Sequence, residues 1–245
     1  MRLWKSWALA RKDMKILIRR KSLVGGLLVI PVLLGVGLPA ILEYVIIKKV
    51  VQSSVVVDLL GAFAYFFVLL SVVLPLYISS YSIVGEKLEK SIEPLLATPT
   101  SDEEILLGKY IGVFIPVIIA IWLGTAIFMI MADAFSSASL GYYYYPNQNF
   151  GIIVLIAVPL ACLYAISFSV FVSAKVNSTQ TAYQLGVLTA VPFFILYVLG
   201  ELGIVSLVSD TNILIISAAL LVMAVVMFFI SRATFKREEI LTSWK

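Results

Sequence analysis

The sequence predicts an all-α integral membrane protein: six transmembrane helices, both termini cytoplasmic, an amphipathic interfacial helix before the first span, and a short cytoplasmic helix between the second and third. Three observations carry this. Hydrophobic residues make up 62% of the 245 and charged residues 13%, with a mean hydropathy of +1.07, which lies outside the range of soluble domains. Six runs are free of charge or nearly so, each close to the roughly 20 residues that cross a bilayer core. Lysine and arginine gather on one side of those runs, the side that insertion keeps cytoplasmic.

Residues 1–22, MRLWKSWALARKDMKILIRRKS, place Leu3, Trp7, Ala10, Met14 and Leu17 at alternating intervals of four and three, with Lys5, Lys12 and Arg19 seven apart on another face. That pattern describes a helix lying in the membrane surface, with Trp4 and Trp7 at headgroup level and basic residues, among them Arg19 and Arg20, toward anionic lipid. It serves either as a plain basic anchor or as a docking element for a partner. The apolar stretch that follows is too long for a signal peptide and no small-residue cleavage pattern closes it, so the segment is expected to stay attached.

Residues 23–232 then form one six-span domain, with spans at about 23–47, 59–84, 104–132, 150–174, 182–200 and 213–231, and residues 233–245 form a cytoplasmic tail. The first span opens with twenty uncharged positions, 23–42, and the second runs from Leu59 to Val84 without a charge. Prolines at 31, 75, 116, 159 and 192 fall inside five of the runs; neighbouring helices can satisfy the backbone groups they free, so they read as packing kinks before gating hinges. The segment 1–22 holds eight basic residues, the loop 85–110 three, the loop around Lys175 one and the stretch from Arg232 onward four, sixteen of eighteen on one side. The formal charge of +4 is thereby explained by membrane topology and gives no reason to expect a nucleic-acid partner.

Chemistry is excluded almost as readily. Histidine is absent and Cys162, the single cysteine, sits in an apolar run, so disulfide frameworks, Cys/His metal sites and histidine acid-base catalysis all fall away, and Cys162 reads as a packing residue. No base accompanies Ser167, Ser169 or Ser173, whose hydroxyls are expected to bond to the preceding turn. On the external side, GYYYYPNQN at 141–149 puts four tyrosines next to a span, where amphipathic rings anchor at the interface. The loop ELGIVSLVSD at 201–210 reads as re-entrant, or as packing against neighbouring spans.

The longest charged passage is YSIVGEKLEKSIEPLLATPTSDEEILLGKY, residues 81–110. Leu88, Ile92 and Leu95 recur at four and three with Leu96 beside them, and charges cover the other faces. Pro94 and Pro99 limit this helix to short pieces. Ser101-Asp102-Glu103-Glu104 then reads as a capping box that starts a new helix at 102. A mixed-charge patch with exposed leucines suits a protein docking surface; it also suits a loop whose leucines tuck under the headgroups.

The passage resembles the first cytoplasmic loop of the type-2 permease family of ATP-binding cassette (ABC) transporters through Glu86, Glu93, Leu95, Leu96, Thr98, Pro99, Gly108 and Lys109. The basic amphipathic start, the Arg19-Arg20-Lys21 exit into a proline-bearing span, KVNSTQTAYQLGVLTAVPFFIL at 175–196 and FKREEIL at 235–241 are similar to that family in the same order. The external loop between the fifth and sixth spans departs from it, being short and without proline. The resemblance implies a coupling loop, 85–103, whose short helix seats in a cleft of an ATP-hydrolysing subunit. Glu86, Lys87, Glu89, Lys90, Glu93, Leu95, Leu96, Thr98 and Pro99 would make the contact. It further implies a cell-membrane exporter subunit, paired with a second permease copy or paralogue, with ATP and Mg on the partner ATPase.

The chain has no G-x-x-x-x-G-K-[ST] phosphate loop, since Gly108-Lys109 is followed by Tyr110; no cofactor of its own is expected. A possible substrate path is Tyr65, Ser71, Tyr77, Ser80 and Tyr81 on the second span, although the tyrosines suit interfacial or interhelical roles equally. The alternatives to an ABC permease are an ion- or proton-coupled carrier or channel, which would want ionisable residues at mid-membrane that the spans lack, and a non-transporting membrane anchor for an ATPase.

Overall fold

The computed structural model describes residues 3–48, 53–88, 100–176 and 178–234, and among them every regular element is helical. Helix α1 (Leu3–Arg19) precedes six long helices: α2 (Lys21–Lys48), α3 (Ser53–Leu88), α4 (Asp102–Leu140), α5 (Gln148–Lys175), α6 (Thr179–Glu201) and α7 (Asp210–Thr234). Each of the six contains a stretch long and apolar enough to cross a membrane, and a helix is the form in which such a stretch satisfies its own backbone. The helices outrun the expected spans. In particular α3 continues through Leu88 and α4 begins at Asp102, so the loop expected over 85–103 loses both ends to helix.

Contacts between remote residues fix which ends lie together. Asp13 meets Lys109, Arg20 lies over the ring of Tyr81 and Arg232 pairs with Glu103 at one end, the basic end. Tyr145 bonds Leu60 and Asn149 bonds Val208 at the other.

Helix α3 is the centre of the bundle. In its most apolar stretch 83% of residues are buried within the protein, against 28% for α2 and 22% for α7; Leu60, Tyr65, Phe67 and Leu76 are fully enclosed. Cys162, on α5, is buried in the same core, as a packing residue should be. The closest approach described is α2 on α4, where backbones touch: a Cβ on Gly124 would stand 2.7 Å from the Pro31 carbonyl oxygen, and one on Gly35 would stand 2.6 Å from that of Gly124. Small residues at such crossings allow close approach between membrane helices, where packing takes the place of the hydrophobic effect.

The prolines divide into two groups. Pro31, Pro39, Pro75 and Pro116 sit in unbroken α-helix, whereas Pro159 follows a π turn at Ile153–Ala157 and Pro192 follows a 3-10 turn at Leu188–Ala190. A proline ring crowds the carbonyl four residues back and donates no hydrogen bond, so a wider or tighter turn ahead of it absorbs the misfit. The π turn also presents the Val154 carbonyl to the indole N–H of Trp122 on α4, at 3.2 Å.

The end away from the basic residues corrects two expectations. Of the four tyrosines read as interface anchors, Tyr142 and Tyr143 are exposed but Tyr145 is buried, its hydroxyl donating to the Leu60 carbonyl at 3.0 Å. Burial pushes the Tyr145 phenol well above its ordinary range, which keeps it a neutral donor. Residues 202–209 form an irregular turn with no helical dip: Leu207 packs on Gly200 and Val208 on Gly61 of α3. The packing alternative holds because these two apolar side chains have glycine seats to fill.

Candidate functional site

The segment that the sequence singles out lies between α3 and α4. Glu86 and Lys87 belong to the last turn of α3; Glu89, Lys90, Glu93, Leu95, Leu96, Thr98 and Pro99 lie outside the described residues. What the structure defines is the ground on either side of them. α4 starts as the sequence predicts, with Ser101 Oγ accepting from the Glu104 backbone N–H at 3.2 Å and Glu104 Oε2 accepting from the Ser101 N–H at 3.1 Å. Asp102, Glu103 and Glu104 occupy the first turn, against the positive end of the helix dipole. Two of that helix end's otherwise open donors are thereby satisfied.

Immediately beyond this cap, α1 crosses α4. Ser6, Ala10 and Leu17 are buried in the contact face of α1, while a Cβ on Gly108 would stand 2.9 Å from both the Ser6 carbonyl oxygen and the Leu9 side chain. Gly112 is the second seat, with Asp13 Cβ 3.2 Å from where its own Cβ would be. Into the groove so formed points Lys109, only 1% exposed, with its Nζ 3.6 Å from Asp13 Oδ2. A buried cation is tolerated where a carboxylate meets it.

α7 reaches the same place. Tyr110 on α4 and Ser231 on α7 share a hydrogen bond at 2.8 Å, and Arg232 pairs with Glu103 in the first turn of α4. The first turns of α4 are thus joined to the start of the chain and to its last helix. Trp4 and Trp7 are exposed on the outer face of α1 and Met14 is partly covered. Arg19 ends α1, and Arg20 breaks the helix before α2.

The sequence reading missed Asp13, and with it the reason Lys109 is present. A signal existed: Ser6 and Ala10, and Gly108 and Gly112, are pairs of small residues four apart, the spacing at which two helices approach closely. The five polar positions on α3 are not brought together. Tyr65 is enclosed, Ser71 Oγ and Ser80 Oγ donate to carbonyls of their own helix at 2.6 and 2.7 Å, and Tyr77 meets Tyr81 and Tyr183 edge-on. Only Tyr77 and Tyr81 keep partial exposure.

Six helices long and apolar enough to cross a membrane, with a capped, cross-braced junction at one end, define a multi-pass membrane protein. A family model for ABC-2 family transporter proteins matches residues 7–216, from α1 into α7, and the chain belongs to that family. It is a membrane permease of ABC transporters, in a family whose members lack an ATPase of their own and work with ABC ATPase partners. Comparison with curated proteins gave no match.

Proposed function

We propose that this chain forms half of the translocation pathway of an ATP-driven exporter in the cell membrane. The basic end, with both termini, faces the cytoplasm. A second copy or a paralogue completes the pathway, and separate subunits bind ATP and Mg. Residues 85–99 dock on an ATPase subunit, with Leu95 and Leu96 supplying burial, Glu86, Lys87, Glu89, Lys90 and Glu93 selecting the partner, and Thr98 and Pro99 completing the contact.

The observation that carries this reading is the junction at the start of α4. A docking segment moves a membrane domain only if displacement passes into the spans. Here the segment leaves the end of α3, the central helix, and leads within one residue of its expected end into a capped helix braced by α1 and α7. A shift of the segment on ATP binding therefore has rigid elements on both sides to act upon. The equilibrium between inward and outward states moves only by the difference in docking affinity between them.

The test is co-purification in detergent of an ABC ATPase with this chain from its native membrane, repeated with Leu95 and Leu96 both changed to Asp. The wild type is expected to bring down the ATPase and the double variant to lose it. Co-purification unaffected by the double change, with intact protein in both samples, removes the docking assignment.

A further inference from the structure

A groove of about 460 Å³ runs between α4, α5 and α7, walled by Tyr110, Phe114, Leu163, Ala224 and Phe228. Its two nearest hydroxyls are committed elsewhere, Tyr110 to Ser231 at 2.8 Å and Ser167 to the Leu163 carbonyl at 2.8 Å, so the walls are effectively hydrocarbon. On α4 the lining runs from Leu107 to Phe114, about 10 Å of helix at ~1.5 Å per residue. It begins just past the first turn, and its length is about two thirds of one leaflet's depth, about 15 Å when the whole core is about 30 Å.

At its basic end the groove meets a second, smaller cavity of about 160 Å³, which shares Leu107 and Phe228 with it and adds Leu106, Glu103 and Arg232. Glu103 and Arg232 pair with each other, and both side chains are about half exposed, at 46% and 51%. Such a pair exchanges partners readily in water. Among the described residues that line this mouth, these two are the charged ones, one of each sign. A headgroup with both a phosphate and an amine meets a complement for each there, whereas one that carries only the phosphate leaves Glu103 unmatched.

We propose that the groove holds one acyl chain of a resident zwitterionic phospholipid of the basic-end leaflet, with its phosphate on Arg232 and its ammonium group on Glu103. The lipid acts as a wedge between α4 and α7 beside the Tyr110–Ser231 bond and is not itself transported. The proposal is independent of the ATPase reading.

The test uses the full chain, purified in mild detergent and examined by native mass spectrometry in equal amounts of phosphatidylethanolamine and phosphatidylglycerol. Wild type is expected to retain one phosphatidylethanolamine, with a preference of about tenfold, the scale of one charge-assisted contact. Ala224→Phe narrows the groove, and Val225→Trp does so from an exposed rim position should the first fail to fold; each is expected to lower retention by about tenfold or more. Glu103→Gln is expected to abolish the headgroup preference. A wild type that retains no lipid, as when a second protein copy covers the groove, overturns the proposal. Retention unchanged by narrowing, or a phosphatidylglycerol preference, overturns it equally.

Discussion

The two ends of the bundle are closed by different means. At the basic end, side-chain tips bridge helices remote in sequence: Asp13 to Lys109, Glu103 to Arg232, Tyr110 to Ser231. At the other end, loops are closed onto the core. Asp133 Oδ1 accepts the backbone N–H groups of both Tyr144 and Tyr145 at 3.0 Å, Asn149 donates to the Val208 carbonyl at 3.0 Å, and the rings of Phe128, Tyr145 and Phe150 pack together. Tip-to-tip contacts exchange without disturbing backbone. Contacts that bury backbone and aromatic groups do not. The difference sets a cap closed through backbone groups at one end against a junction braced between helices by side chains at the other.

The comparison breaks most directly at Tyr145. Tyr145→Ala empties the centre of the aromatic cluster and frees the Leu60 carbonyl, and is expected to cost about 3–5 kcal/mol, read as a large fall in the detergent melting temperature. Lys109→Met comes next, because it takes from Asp13, 9% exposed at the side chain, its buried cationic partner and leaves it the half-exposed Lys12 at 3.5 Å. A loss of about 1–3 kcal/mol is expected. Adding Asp13→Asn should return much of it, and failure of that double variant to regain stability would count against pairing as the reason Lys109 is tolerated. Glu103→Gln is the smallest. Its half-exposed pair is worth at most about 1 kcal/mol and should fade further as salt rises. Equal losses at Tyr145 and Glu103 would erase the distinction between the ends.

Much of this was legible where the physics is local. Six spans follow from length and apolarity, and the start of α4 from Ser101 and Glu104, three residues apart. What stayed hidden depends on remote partners. The outermost span, α7, has a mean hydropathy of 3.1 and the central one, α3, 2.4, so apolarity alone ranks them the wrong way for burial. Lipid and protein interior are both apolar, and hydropathy does not separate them. The tyrosines at 142–145 share one composition yet divide between surface and core, because Leu60 offers an acceptor to Tyr145. Asp13 carries no local signal of its role, because its buried partner Lys109 comes from α4. Of the residues named for docking, only Glu86 and Lys87 fall within the described helices.

The α2–α4 crossing bears on how the protein is made. Pro31 and Gly35 leave the ribosome well before Gly124 exists, and the contact they make is a close approach of two backbones, flanked by the Pro31 ring and the Ile127 side chain. The first span must therefore wait in lipid with its narrow face unfilled while two further spans are inserted. Any chaperone or insertase that holds it there would recognise the very surface that vanishes on completion. Substitutions at Gly35 or Gly124 should then appear first as a biogenesis defect, with the chain held at the insertion machinery.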